Sequence, residues 1–250
     1  MKDNRWFAHC SVHENAINVV CFGYAGASAS YFTPWAKALS EKYSLLPVLL
    51  PQREVRAKEK MPESLNALAE NFAADNKELL TKPVILFGHC TGAVVAYETA
   101  KYMEKNYGTS PICLAASSSP SPAYTLLKDD ISQFTDAQFA AKLADMGIID
   151  KTMAANPVFL NYYMPIIRID FDLHSRYSSG SNDKISCPVI CTYGSDDKLI
   201  SKEQVEDWSN FTSAEAEYKT FPGEHFYLDN QLKNYLGYVF DERIASLTDK

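Results

Sequence analysis

This 250-residue chain lacks long apolar runs, long basic stretches and a high density of cysteine. No run is long enough to cross a bilayer, so we expect no membrane association. No apolar stretch follows residues 1–7, and we therefore expect no signal peptide. The formal net charge is −7 and no long basic segment offsets it, which argues against general nucleic-acid binding.

Cysteine is scarce as well. Six cysteines, at positions 10, 21, 90, 113, 187 and 191, are too few for a secreted disulfide scaffold, and no pair has the spacing of a zinc knuckle. We therefore expect a reducing, cytoplasmic environment, no metal and no cofactor. Internal repeats, low-complexity segments and interdomain linkers are also absent, so the sequence favours a single domain over residues 1–250, present as a monomer.

The composition, 46% hydrophobic and 22% charged, is that of an ordinary globular protein. Apolar runs predict strands at 17–22, 45–50, 84–87, 112–116, 189–193 and 216–221. Between them, residues at helical spacing predict helices at 31–42, 64–80 and 93–100, with Ser64 as an N-cap. This alternation predicts an α/β fold with a mostly parallel sheet and helices on both faces.

The alternation stops between residues 130 and 180, where three segments are helical in pattern, at 132–146, 156–163 and 165–177. A helical insertion between two strands predicts a lid over the site. The other interpretation is a helical excursion that only extends the core.

The most informative segment is Gly88-His89-Cys90-Thr91-Gly92, which follows a β-prone run and precedes a helix. A strand, a tight turn and a helix, with glycines flanking a central nucleophile, are typical of the nucleophile elbow of α/β-hydrolases. The flanking glycines let the strand and the helix approach closely. Serine is the usual central residue, and here the predicted nucleophile is Cys90.

A nucleophile in this fold needs a base and an orienting acid, which follow it in chain order as acid and then histidine. Of the five histidines, at 9, 13, 89, 174 and 225, only His225 follows the last predicted strand in a loop. Asp196 and Asp197 follow the strand before it, and the pattern Gly-x-x-Asp-x-x-Ile favours Asp197. A turn aspartate at a helix start is the alternative for either acid.

An oxyanion hole in this fold combines the backbone N–H after the nucleophile with one from the loop after an early strand. Thr91 provides the first of these in our interpretation. Ala25, in the turn Tyr24-Ala25-Gly26, provides the second.

Taken together, these segments resemble the type II thioesterases, the editing hydrolases of nonribosomal peptide and polyketide synthases, over essentially the whole chain. The residues that carry the resemblance are Trp6-Phe7, residues 21–29 (CFGYAGASA), 50–56 (LPQREVR), 87–93 (FGHCTGA), 165–171 (PIIRIDF) and 221–226 (FPGEHF). The departure from the family is Cys90, where its members have serine.

The resemblance implies an acyl group on the phosphopantetheine arm of a carrier protein as substrate, with no other cofactor, in antibiotic-type biosynthesis. It makes the carrier domain the expected partner. Such carriers are acidic, so the cluster at Arg53, Arg56, Lys58 and Lys60 is either a docking edge or a solvated loop.

Several alternatives stay open at this point. The same cysteine could pass the acyl group to an amine or hydroxyl, as an acyltransferase or cyclase. The chain could be a non-catalytic carrier-binding homologue, or a lipase or carboxylesterase, because fold does not fix function. Cys90 itself is either native or a replacement for serine.

Overall fold

The computed structural model describes residues 4–127, 129–179 and 183–248. A six-stranded sheet forms its centre, with every neighbouring pair parallel. Its strands, in spatial order β2-β1-β3-β4-β5-β6, are β1 (Ile17–Phe22), β2 (Tyr43–Pro47), β3 (Val84–His89), β4 (Cys113–Ser117), β5 (Val189–Gly194) and β6 (Ala216–Phe221). This sheet confirms the predicted fold class.

Both faces of the sheet are covered, because successive side chains of a strand point to opposite sides. In β1, Val20 and Phe22 belong to one buried cluster, whereas Val19 and Cys21 belong to the other. Strands buried on both faces read as continuous apolar runs, which is why they stand out in the sequence.

Eleven α-helical segments are assigned within the described ranges. They are α1 (Trp35–Ala38), α2 (Leu65–Asp75), α3 (Lys77–Leu80), α4 (Thr91–Tyr107), α5 (Asp136–Asp145), α6 (Lys151–Ala154), α7 (Pro157–Tyr162), α8 (Met164–Ser175), α9 (Lys202–Glu206), α10 (Leu228–Leu236) and α11 (Ala245–Thr248). A π-helical stretch, Gly237–Ile244, joins the last two. No helix in the described part of the chain is both long and apolar enough to span a membrane.

Two predicted helices differ from the structure. The helix expected at 31–42 is a 3₁₀ turn, Ala29–Phe32, followed by the short α1. Pro34 stands at the N-cap of α1 and has no N–H with which to continue a preceding helix. The helix expected at 64–80 begins as predicted, since Ser64 Oγ accepts a hydrogen bond from Ala67 N–H at 3.0 Å. It breaks at Asn76, between α2 and α3.

The segment between β4 and β5 contains α5, α6, α7 and α8 and, among the described residues, no strand. Phe139 of α5 and Phe171 of α8 pack edge to face with ring centroids 5.6 Å apart, so these two helices share a core. Gly180, the last residue of the predicted insertion, lies outside the described residues. Its role as a lid stays a prediction.

The carboxyl ends of parallel strands meet at one edge of a sheet. The loops that follow β1, β3, β5 and β6 therefore lie at the same edge, and they carry Ala25, Cys90, Asp197 and His225 respectively.

Candidate active site

Cys90 occupies the turn between β3 and α4, with φ 56° and ψ −122°. A non-glycine residue in this region is strained and is held there by its surroundings. A Cβ on Gly88 would lie 2.3 Å from the Cα of Ala93, and one on Gly92 would lie 2.4 Å from the carbonyl oxygen of Phe22. Only glycine fits at these two positions, so the sequence pattern around Cys90 follows from the close approach of strand and helix.

Asp197 and His225 meet at the ends of β5 and β6. Asp197 Oδ2 lies 2.8 Å from His225 Nδ1, with side-chain exposures of 1% and 2%. The other carboxylate oxygen, Oδ1, accepts the N–H of Leu199 at 2.9 Å. Asp196 is exposed and accepts a hydrogen bond from the neighbouring Ser195 hydroxyl, so of the two adjacent acids the structure places Asp197 against the ring.

The two loops that carry this pair are fixed to each other by their backbones. Asp196 N–H donates to the carbonyl of Gly223 at 2.9 Å, and Ser195 N–H donates to that of Phe221 at 2.8 Å. A Cβ on Gly194 would lie 2.2 Å from the carbonyl oxygen of Glu224, so this approach also requires glycine. The separation of His225 and Asp197 is therefore set by the main chain.

The second ring nitrogen of His225, Nε2, is buried and has no hydrogen-bond partner of ordinary geometry among the described residues. Burial lowers the pKa of His225, but the charge of a Cys90 thiolate, followed by the hydrogen bond to Asp197, outweighs burial and raises the pKa from 6.5 to about 10. With no ordinary hydrogen bond at Nε2, we attribute the influence of Cys90 mainly to a nearby charge. Catalytic hydrogen bonds are often loose before substrate binds.

The two backbone N–H groups predicted to form the oxyanion hole belong to Ala25 and Thr91. Neither Ala25 nor Thr91 uses its N–H to donate a hydrogen bond to another described residue. Thr91 is the first residue of α4, where helix N–H groups have no partner within the helix. Ala25 lies in the turn after β1, which Ala27 closes by donating its N–H to the carbonyl of Tyr24 at 2.9 Å.

His89 and His174 are also buried, and neither is paired with an acidic side chain of the described ranges. His89 lies beside the nucleophile in sequence, but its Nδ1 is hydrogen-bonded to the hydroxyl of Ser117 at 3.0 Å, and burial holds its pKa well below the ordinary value. Burial also lowers the pKa of His174, on α8, to about 4. Both rings are therefore neutral near pH 7, and of these three buried histidines only His225 has a raised pKa.

The basic cluster of the sequence is divided by the structure. Arg53 and Arg56 are each 3% exposed, whereas Lys58 and Lys60 are exposed. Arg56 donates to the carbonyl of Leu49 at 2.7 Å and lies over the ring of Trp6 at 4.2 Å. The prediction that all four side chains form either a docking edge or a solvated loop is therefore wrong, because both arginines point into the protein.

Sequence reasoning also missed the partner of Arg53. Its guanidinium forms a buried ion pair with Asp170 of α8, which is more than a hundred residues away in the sequence. Arg53 and Asp170 both lie in segments that carry the family resemblance, but neither segment indicates that they meet.

A family model described as "Thioesterase domain" matches residues 18–242. Thioesterase PikA5 of Streptomyces venezuelae is 31% identical over 219 residues, covering 87% of this chain and 77% of that protein. Gramicidin S biosynthesis protein GrsT of Aneurinibacillus migulanus is 26% identical over 226 residues, covering 90% of this chain and 88% of that protein. Among solved structures, YbtT, described as a type II thioesterase from the yersiniabactin NRPS/PKS biosynthetic pathway, has a TM-score of 0.84 and 25% identity, covering 96% of this chain and 100% of that one.

Proposed function

The chain belongs to the thioesterase family, and from that premise we propose that it hydrolyses acyl groups from the phosphopantetheine arm of carrier proteins in nonribosomal peptide or polyketide biosynthesis. PikA5, a thioesterase, supports the activity, whereas GrsT, a gramicidin S biosynthesis protein, and YbtT, from an NRPS/PKS pathway, support the pathway. YbtT also supports the type II class. The observation that carries the chemistry is the buried hydrogen bond between His225 and Asp197 beside a cysteine on a strained turn.

Acylation begins with the thiolate of Cys90 and the imidazolium of His225. The sulfur attacks the carbonyl carbon of the substrate thioester, a new C–S bond forms, and the C=O electron pair moves to oxygen. The N–H groups of Ala25 and Thr91 stabilise that oxyanion. When the oxyanion collapses, the bond to the pantetheine sulfur breaks, and the departing thiolate takes the proton of His225.

Deacylation requires His225 to act in the opposite sense, as a base. Acylation removes the negative charge from the sulfur of Cys90, which is the largest influence that raises the pKa of His225. The ring therefore stays neutral and can take a proton from water as the water attacks the acyl-enzyme. Collapse breaks the C–S bond, releases the free acid and returns Cys90 as a thiolate, while His225 keeps the proton that it took from water. Asp197 keeps the ring oriented throughout.

Acyl transfer is a second candidate, and the observation that favours it is the cysteine itself. The acyl-enzyme of Cys90 is a thioester, close in energy to the substrate thioester, so acylation is nearly balanced. The outcome then depends on whether water, an amine or an alcohol captures the acyl group. A non-catalytic role is less consistent with the site, because His225 and Asp197 remain paired and buried.

The test is to incubate the protein with an acyl-pantetheine thioester and follow the free thiol released, with intact-protein mass spectrometry in parallel. Wild type and Cys10→Ala, which changes an exposed cysteine, are expected to release thiol and to gain one acyl group. Cys90→Ala is expected to do neither. Thiol release by Cys90→Ala at the wild-type rate would overturn the proposal. An amide or ester product that forms only when an acceptor is added would favour the transferase.

A further inference from the structure

A buried ion pair lies beside the loop that carries Ala25. Arg53 follows β2 and Asp170 lies on α8, and their side chains are 3% and 8% exposed. The pair therefore joins the predicted lid segment to the body of the protein and is largely shielded from water.

Arg53 and Asp170 hold the loop after β1 at two consecutive residues. Asp170 Oδ2 accepts the N–H of Gly26 at 2.6 Å and also the Nη2 of Arg53. Arg53 Nε donates to the carbonyl of Ala27 at 3.2 Å, and its Nη1 donates to the carbonyl of Pro51 at 2.9 Å. One buried network thus fixes an N–H and a C=O of the same turn.

The helix that carries Asp170 rests directly on this turn. A Cβ on Gly26 would lie 2.4 Å from Cγ1 of Ile167, one turn earlier on α8. Gly26 also has φ +84°, a conformation that glycine adopts without strain. The turn and the helix are therefore in contact at both the apolar Ile167 and the charged Asp170.

Stability alone is a weak reason for a buried ion pair, since an apolar pair of similar volume is often as stable. Burial raises the pKa of Asp170 even though Arg53 and the Gly26 N–H oppose that effect. The charges fix geometry here, because the carboxylate of Asp170 holds the Ala25–Gly26 peptide by its N–H and the guanidinium of Arg53 holds the carbonyl of Ala27 further along the turn.

We propose that Arg53 and Asp170 are positioning residues, which hold the N–H of Ala25 in the orientation that an oxyanion at Cys90 requires. This inference rests on the proposed function. It makes the oxyanion hole complete only while α8 lies on the turn.

The experiment compares Asp170→Asn and Arg53→Lys with a control variant that breaks a different ion pair of α8. Arg168 of α8 pairs with Asp136 at 2.8 Å, but that pair is partly exposed and does not touch the turn after β1. Asp136→Asn therefore breaks an ion pair of α8 and leaves the proposed network intact.

For Asp170→Asn and Arg53→Lys we expect kcat with an acyl-pantetheine to fall about 10²-fold, the scale of misplacing a catalytic group by about 1 Å, with little change in KM. The affinity for an acyl-pantetheine trifluoromethyl ketone, which forms an oxyanion with the thiolate, should fall by a similar factor. Alkylation of Cys90 by iodoacetamide forms no oxyanion and should keep its rate. Asp136→Asn should match wild type in all three measurements.

Unchanged kcat in both variants would overturn the proposal, as would a loss of kcat accompanied by an equal loss of alkylation, which indicates a collapsed site. If Asp170→Asn yields no folded protein, Arg53→Lys decides, since it keeps the charge and shortens the reach. If neither variant folds, the pair is structural and the proposal is wrong. Full activity of Cys90→Ala would instead overturn the proposed function, so the two failures are distinguishable.

Discussion

Two regions of the molecule each bury an acidic side chain beside a basic one, and the two basic side chains differ in their hydrogen bonds. At the strand ends, His225 is hydrogen-bonded to Asp197 through Nδ1, while its Nε2 has no hydrogen-bond partner of ordinary geometry among the described residues. Beneath α8, all three guanidinium nitrogens of Arg53 donate a hydrogen bond, one of them to Asp170.

The difference distinguishes a reactive pair from a rigid one. A buried nitrogen without a partner carries a desolvation penalty, and in our proposal that penalty is relieved by the reacting groups. The buried guanidinium of Arg53 donates from each of its three nitrogens to oxygens of the protein, and we infer that it serves geometry instead. The comparison predicts that changes at the strand ends alter chemistry, whereas changes around the turn and the arginines alter stability or alignment.

The largest effect is expected at the acid of the strand-end pair. Asp197→Asn should lower kcat on the order of 10³-fold, because the amide no longer stabilises the imidazolium or selects its orientation. Steady-state kinetics with an acyl-pantetheine measure it. Asp196→Asn is the matched control, since Asp196 is adjacent but exposed, and it should keep wild-type kcat. Equal losses in the two variants would contradict the assignment of Asp197.

At the turn after β1, Gly26→Ala should reduce the free energy of unfolding by about 3 kcal/mol, from an unfavourable positive φ and a clash with Ile167. Gly108→Ala is the control, because Gly108 also has a positive φ (64°) but a Cβ there meets nothing within 4 Å. It should cost about 1 kcal/mol. Denaturant unfolding gives both values, and equal costs would show that α8 does not press on the turn.

Local pattern explains what the sequence predicted well. Gly88 is required by a backbone contact with Ala93, five residues away, so this part of the elbow is a local pattern. Gly92 is required by the carbonyl of Phe22 on β1, a contact between distant segments, but both glycines are part of the recognisable motif. The apolar runs of the strands follow from burial on both faces. Where Pro34 and Asn76 interrupt helical spacing, the pattern misled, since periodicity alone does not show where a helix breaks.

Contacts between distant segments explain what the sequence did not predict. In the sequence, the charged segment that contains Arg53 and Arg56 is typical of an exposed loop. Both arginines are buried by contacts with distant residues, which are Asp170, Leu49 and Trp6. Nothing in spacing or composition pairs Arg53 with Asp170. Both residues lie in segments that carry the family resemblance, but the resemblance does not show that they are in contact.

A buried arginine should behave as part of the core. Arg56→Met is expected to reduce the free energy of unfolding by about 2 kcal/mol, because it removes a hydrogen bond to Leu49 and the contact with Trp6. Lys58→Met, at an exposed position of the same loop, should change it by less than about 0.5 kcal/mol. Thermal or denaturant unfolding separates them, and similar values would restore the surface interpretation of the cluster.

The smallest effect expected is a change of charge state at the strand ends. The Cys90 thiolate is the largest influence raising the pKa of His225 to about 10, so Cys90→Ala should lower that pKa. Asp197→Asn should lower it as well, by less. Below its pKa His225 is an imidazolium, so at pH 9 wild type should be mostly charged and Cys90→Ala more neutral.

Nitrogen-15 NMR of histidine-labelled protein measures this titration directly. His89 and His174 serve as internal references, because burial lowers the pKa of each and both should stay neutral from pH 7 to 10. Alkylation of wild type with iodoacetamide should reproduce the result of Cys90→Ala, since it also removes the charge from sulfur. A pKa of His225 that is the same with and without that charge would mean that the ring and the sulfur do not interact. The pair of His225 and Asp197 would then have no part in the chemistry, as we infer for the pair of Arg53 and Asp170.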